Sequence, residues 1–307
     1  MELGLCMIVR NEEERLIDCL SSIHELFDDI VVVDTGSRDR TREVLADAFG
    51  IEALTYPAGA HADNDLGALR SFAQEHVGTP WVLRLDPDER ISPESIRRIK
   101  GMPDDPRVSG YFGGWLTPSG DRLIEDYKLF VHRREVACLG AIHENHQIDL
   151  RDRGESAVWL EGLKVEHQRR DPRVEEKKQQ ERLRRLVGCM RSTPEWFRFH
   201  WFAGLILFER GELRRAVEFL EAAARSRSAR FPVECLNSCM VLCEIYARSG
   251  EGHALRPTLQ AALSLLDEWA ADFEVGINRR LRPWFEAAAD LLAEGRASEI
   301  RAYGFSH

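Results

Sequence analysis

The sequence predicts an α/β fold, a doubly wound and mainly parallel sheet, with an all-α half after it. Three observations carry this. Apolar strand-like runs alternate with helical patterns as β-α-β-α-β-α-β between Leu3 and Leu85. Short extended runs then fill residues 110–167, and from Asp171-Pro172 onward nearly every segment has helical periodicity. At roughly 100 to 200 residues per domain, 307 residues suit two domains, expected at 1–170 and 171–307. Charge divides at the same place. Residues 1–170 hold 21 basic against 32 acidic residues, and residues 171–307 hold 21 against 20.

Leu3–Val9 is a continuous apolar run bounded by Arg10-Asn11-Glu12, as expected of a strand covered on both faces. Leu16, Ile17, Leu20, Ile23, Leu26 and Phe27 then recur at helical spacing, predicting a helix over Glu13–Leu26. Ile30–Val33 is a second strand, and the turn cluster Asp34-Thr35-Gly36-Ser37 leads to a helix at Arg40–Phe49. Ile51–Tyr56 gives a third strand, Leu66–Val77 a helix, and Trp81–Leu85 a fourth strand ending abruptly in Asp86-Pro87-Asp88-Glu89. Tyr111–Leu116, Leu129–His132 and Leu163–His167 read as an antiparallel extension of the sheet. Ligands of such sheets sit at the carboxyl ends of the strands, where Arg10, Asn11, Asp34 and Asp86 fall.

In the helical half Pro194, Pro232 and Pro257 stand near expected helix starts, and Gly211, Gly250 and Gly295 at expected ends. Gly204, Gly211, Ala216, Leu220 and Ala223 recur 39 residues later as Cys243, Gly250, Leu255, Leu259 and Ala262. That spacing resembles the helix-turn-helix tetratricopeptide pattern with an inserted turn. Such an array docks partners or dimerises, so a homodimer through this half is expected. Cys235, Cys239 and Cys243 form one helical stripe, read as core. Lys177, Lys178, Arg182, Arg184 and Arg185, interleaved with Glu175, Glu176 and Glu181, read as a solvated face.

A formal charge of −10 disfavours a phosphate-coating nucleic-acid binder. Seven cysteines at scattered spacings suit a reducing compartment. Leu3–Val9 is too short to span a bilayer, so a cytoplasmic protein without a membrane span is expected.

Asp86-Pro87-Asp88 is the sharpest chemical feature. Two carboxylates one residue apart at a strand end can face one hard cation, and Mg²⁺ or Mn²⁺ completes its shell with water and phosphate oxygens, which suits a diphosphate ligand. The same three residues can also be a solvated turn before a helix. His143-Glu144-Asn145-His146 lacks the spacing of a zinc hydrolase, and the loop after the first strand is not the Gly-rich basic loop of a nucleotidyltransferase.

LCMIVRNEEERLIDCLSSI, DDIVVVDTGSRDRTREVLADAFG and the LRLDPDE turn occur in that order. Together they resemble family 2 glycosyltransferases of the GT-A fold, in the branch with a tetratricopeptide-like C-terminal half that includes the peptide S- and O-glycosyltransferases of glycocin biosynthesis. The resemblance implies a GT-A domain with a Rossmann-like mixed sheet and a nucleotide pocket lined by Val9, Arg10, Asn11, Glu12, Asp34 and Gly36, with Asp34 bonding the base. It implies that Arg70 meets the diphosphate, although Ser71 replaces the Asn that follows this Arg in related sequences. Asp86 would lie near the ribose or the metal, and Asp88 would be the principal ligand of Mn²⁺ or Mg²⁺.

Gly140-Ala141-Ile142-His143-Glu144 resembles a Gly-x-Ile-His-Glu segment of that branch. An inverting transfer needs a base for the acceptor proton, and Glu144 is expected to be it, with His143 ligating metal or holding the acceptor. His167 is a second imidazole expected at the cleft, as acceptor contact or metal ligand. Trp115, Trp196 and Trp201 either stack on a substrate or pack in the core. The expected reaction moves a hexose or N-acetylhexosamine from a UDP-sugar to Ser or Cys of a ribosomal peptide. Two alternatives stay open: a cell-envelope saccharide or lipid acceptor, and a non-catalytic nucleotide-sugar scaffold that binds a partner through its helices.

Overall fold

The computed structural model describes residues 1–56, 65–119, 122–168 and 172–302. The chain divides into two compact units, one through Arg170 and one from Asp171 to Phe305. The first opens with β1 (Leu3–Val9), α1 (Glu13–Leu20), β2 (Asp29–Asp34), α2 (Thr41–Phe49), β3 (Leu54–Thr55), α3 (Leu66–Glu75) and β4 (Trp81–Arg84). It continues with β5 (Glu89–Ile91), α4 (Pro93–Lys100), β6 (Gly110–Ser119), β7 (Arg122–Arg133), α5 (Gln147–Arg153) and β8 (Ala157–His167).

One eight-stranded sheet runs β3-β2-β1-β4-β7-β6-β8-β5. The first four strands of that order pair parallel, β7 joins β4 and β6 antiparallel, and β5 joins β8 antiparallel. This is a Rossmann-like mixed sheet. The extension is not wholly antiparallel as expected, because β6 and β8 run parallel.

β1 shows why an unbroken apolar run is required. Leu3, Leu5, Met7 and Val9 join a core with Leu16, Leu20, Val32 and Leu45, while Cys6 joins Val31, Val33, Ala73 and Val77 on the other side. Alternate residues thus bury into two layers, so neither parity can be polar.

α1 stops at Leu20 rather than running to Leu26, and a short 3-10 turn at His24–Leu26 follows. Ser21 Oγ bonds back to the Ile17 carbonyl at 2.5 Å, the local competition that makes serine a weak helix-interior residue. α4 and α5 were not expected. The signal for α4 was nonetheless present: Ser92 caps it by accepting from Ser95 N at 3.1 Å, and Pro93 occupies its first turn.

The second unit comprises α6 (Pro172–Ser192), α7 (Arg198–Glu209), α8 (Leu213–Ser226), α9 (Pro232–Ser249), α10 (Gly252–Glu268), α11 (Phe273–Ile277) and α12 (Leu281–Ala293). The 39-residue repeat falls on α7–α8 and α9–α10. Gly204 lets these helices close up, since a Cβ there would stand 2.6 Å from Leu220 Cγ. Pro232 opens α9 as expected, whereas Pro257 lies inside α10 and Pro194 falls between α6 and α7. α9 is buried from Pro232 to Tyr246, which places the Cys235, Cys239 and Cys243 stripe in the core. Trp201 is also buried there. Among the described residues, no helix is long and apolar enough to cross a membrane.

Candidate active site

The carboxyl ends of β1, β2 and β4 meet at one edge of the sheet. After Val9 the chain turns through Asn11, whose φ of 54° is one that asparagine tolerates better than most residues. The loop after β1 is joined to the loop after β2. Asn11 N donates to Ser37 Oγ at 2.9 Å, Arg38 N to Asn11 Oδ1 at 2.8 Å, and Glu12 N to Thr41 Oγ1 at 2.8 Å. Asp34 is buried. Its Oδ1 accepts from Ser37 N at 3.0 Å and Ser37 Oγ at 2.6 Å, and its Oδ2 lies 3.4 Å from Arg42 Nη1. Asp34 therefore organises its own turn, and Gly36 beside it takes φ 103°. Arg10 and Gly36 are exposed at this rim, and Glu12 is buried beneath it.

A second cluster forms one strand away, across β1, at the end of β4. Glu89 Oε2 accepts from Asp86 N and Asp86 O accepts from Glu89 N, each at 2.9 Å, which closes the Asp86-Pro87-Asp88 turn. The Asp86 carboxylate does not cap this turn. Its Oδ1 accepts from Arg70 Nη2 at 2.8 Å, and Oδ2 lies 3.5 Å from Lys128 Nζ. Burial alone would raise the pKa of Asp86, and the charges of Arg70, Lys128 and Arg84 outweigh it and hold the carboxyl well below its usual range. Lys128 also meets Glu89 Oε1 at 2.6 Å.

The predicted His143-Glu144 segment reaches this cluster because of α3. Leu66 N donates to Ala141 O at 2.9 Å and Gly67 N to Gly140 O at 3.1 Å. A Cβ at Gly67 would stand 2.7 Å from Gly140 O, so only glycine permits this approach. Reciprocal bonds between Leu139 and Asn145 close the loop, at 3.0 and 2.9 Å. Within it His143 takes φ 51°, a costly conformation for a residue with a side chain.

Glu144 is buried with its Oε1 at 2.5 Å from Arg70 Nε and 2.7 Å from Arg84 Nη2. Burial would raise its pKa, and the two guanidinium charges overcome that and lower it. A carboxylate held this way is a weak proton acceptor, which argues against the expectation that Glu144 is the base. Arg70 is also buried, and among the described residues its Nη1 has no hydrogen-bond partner. Behind the loop, His132 and His146 stack with ring centres 4.0 Å apart.

Asp88 takes a third position. Its Oδ2 lies 3.8 Å from His167 Nε2, and its carbonyl accepts from Gln168 N at 2.6 Å. The His167 ring packs 4.9 Å from buried Trp115, whose other neighbour is Lys128 Nζ at 5.6 Å from the ring centre. Among the described residues no group of three or more His, Cys, Asp or Glu could hold a metal ion by itself. Asp88 and His167 offer a carboxylate and an imidazole side by side. Asp86, expected as a second ligand, meets Arg70 and Lys128 in this structure.

The structure thus gathers Arg70, Asp86, Asp88, Glu144, Trp115 and His167 around the end of β4, leaves His143 placed only by the loop it shares with Glu144, and puts Val9 to Glu12, Asp34 and Gly36 at the neighbouring edge. Arg84, Glu89 and Lys128 were not expected. Arg84 is a cation in the apolar run Trp81–Leu85, and a charge there requires a buried partner, which was its one readable signal. Lys128 carried none.

Residues 5–152 match the family model described as Glycosyl transferase family 2. A TPR repeat-containing protein of Synechococcus elongatus is 36% identical over 112 residues, which are 36% of this chain and 26% of that protein. Glycosyltransferase SunS of Bacillus phage SPbeta is 24% identical over 231 residues, 70% of this chain and 51% of that protein. The chain thus spans from about a quarter to about half the length of these curated relatives. Among solved structures, S. aureus TarS 1-349 in complex with UDP is 12% identical with a TM-score of 0.49, over 100% of this chain and 94% of that one. Over residues 5–152, just under half of its length, the chain thus resembles the glycosyl transferase family 2 domains.

Proposed function

We propose that the chain is an inverting glycosyltransferase that moves a hexose or N-acetylhexosamine from a UDP-sugar to an acceptor. The resemblance to family 2 domains supports transfer from an activated sugar. The observation that carries the reading is the arrangement at the end of β4, where buried Arg70 holds Asp86 and Glu144 and keeps Nη1 uncommitted among the described residues. That unused donor fits a phosphate oxygen of the leaving diphosphate.

Asp88 and His167 fit Mn²⁺ or Mg²⁺, because these ions accept one or two protein ligands and complete their shell with water and phosphate. A bound divalent ion supplies positive charge to the departing diphosphate. Lys128 and Arg70 keep Asp86 ionised and oriented beside that position. Asn11, Asp34 and Gly36 form the rim that receives the nucleoside, with the Asp34 turn already ordered by Ser37. In the transfer the acceptor atom bonds to the anomeric carbon from the face opposite the nucleotide. The bond from that carbon to the diphosphate oxygen breaks with its electron pair on oxygen.

The acceptor proton falls to His143 rather than to Glu144, whose two guanidinium bonds make it a positioning residue for Arg70. The sequence resemblance to peptide-modifying enzymes supports Ser or Cys of a peptide as acceptor, while Trp115 packs in the core beneath the site.

Calorimetric titration of UDP, then GDP, with Mn²⁺ and again with chelator tests this reading. Metal-dependent binding of UDP is expected. Absence of binding by either nucleotide to folded protein would overturn the transferase reading in favour of a scaffold.

A further inference from the structure

A groove of about 790 Å³ opens within the helical unit, between α6 and the α7–α8 turn. Its floor includes Leu183 and Val187, and its walls are cationic. On α6, Lys177, Arg184 and Arg191 line it at intervals of seven residues, two helical turns, hence about 10 Å apart on one face. Arg210 and Arg215 face them from the turn and the start of α8. The two carboxylates of the groove are already used locally: Glu181 pairs with Arg184 at 2.7 Å, and Glu212 with Arg210 at 3.0 Å and Arg215 at 2.5 Å. Among the described residues Lys177 and Arg191 have no ion pair. Five cations against two anions is a local excess of positive charge on a chain whose net charge is −10.

We propose that this groove is a docking site for an extended acidic peptide carrying a carboxylate at about every third residue. A peptide in the extended polyproline II conformation has three residues per turn and rises about 3.1 Å per residue, so carboxylates three apart share one face at about 9 Å, close to the interval of the three α6 cations. Leu183 and Val187 receive the intervening side chains, and Arg210 and Arg215 confront the peptide from the opposite wall. Charge complementarity selects the peptide's sign and spacing sets its register. The site is separate from the strand-end cluster, so it stands whether or not the chain transfers a sugar.

The test uses the full chain and three labelled twelve-residue peptides with Glu, Gln or Lys at every third position, read by fluorescence anisotropy. The Glu peptide is expected to bind, to weaken as salt rises, and to outbind the Gln peptide by about tenfold or more. K177E/R184E/R191E, with unchanged circular dichroism, is expected to lose the Glu peptide and gain the Lys peptide. That gain is a readout misfolding cannot mimic. Equal binding of the Glu and Gln peptides would overturn the proposal, as would a variant that still prefers Glu. Tighter binding of a single-stranded oligonucleotide of equal charge, lost on the same reversal, would reassign the groove to nucleic acid.

Discussion

Glu144 Oε1 accepts from Arg70 Nε and Arg84 Nη2 together, at 2.5 and 2.7 Å, and so one oxygen fixes two buried guanidinium groups that come from α3 and β4. Removing that oxygen takes from Arg84 its ion-pair partner and leaves Arg70 with Asp86 alone. Glu144→Ala is expected to cost about 3 to 5 kcal/mol of stability, as for one partner lost from a buried pair, read by urea denaturation. A loss below about 1 kcal/mol would mean that the pair is not closed in solution.

The same pair separates two roles in transfer. His143→Gln is expected to lower turnover by about 10² or more while sparing stability and UDP affinity. Glu144→Gln is expected to weaken UDP binding as well, because Arg70 loses its orientation. If Glu144→Gln lowers only the turnover rate while His143→Gln is neutral, the proton belongs to Glu144.

Asp88→Ala and His167→Ala are each expected to weaken Mn²⁺ binding in the presence of UDP, followed by the Mn²⁺ electron paramagnetic resonance signal. Each should leave the melting temperature within a few degrees of the parent. An unchanged signal in both variants would remove the metal from this pair.

Acid should loosen the first unit through His132 and His146. Burial lowers both pKa values, that of His132 from 6.5 to about 4, and for His146 the neighbouring His132, Arg84 and Arg70 charges act in the same direction. The folded state therefore binds fewer protons than the unfolded chain. The contribution is full above pH 6.5 and is lost as pH falls toward 4, by up to about 3 kcal/mol for His132 alone. His132→Phe should flatten the dependence of unfolding free energy on pH over that interval, and an unaltered slope would refute the assignment.

Gly67→Ala inserts a methyl between α3 and the Gly140 carbonyl. A cost of about 1 to 3 kcal/mol is expected, with weaker UDP binding because Arg70 and Glu144 ride on the two displaced segments. Stability measured beside nucleotide affinity checks both.

The alternation from β1 to β4 was legible because β1, β2 and β4 are buried on both faces and the helices on one, so hydrophobic period alone marks them. Asp86 and Asp88 were legible as residue types at a strand end. Their division of labour was not, since it depends on Lys128 and His167, which arrive from β7 and β8 and are 40 and 79 residues from Asp88 along the chain. Glu144 was legible as a residue, but its two arginine partners were not, because they lie in segments that no local spacing connects to it. Asp34, foreseen as a contact for the nucleoside, is held by Ser37, three residues on in its own turn.

The placement of sulfur divides evenly between the two halves. Cys6, Cys19 and Cys138 are sealed in the first unit and Cys235, Cys239 and Cys243 in the second, with only Cys189 half-exposed. Each unit thus holds its own set of concealed reporters. A thiol reagent added in the native state modifies Cys189 first, and the later, site-resolved labelling times the opening of each unit separately. Matching rates for both sets would reveal a single cooperative structure, and divergent rates would identify the half that breathes alone.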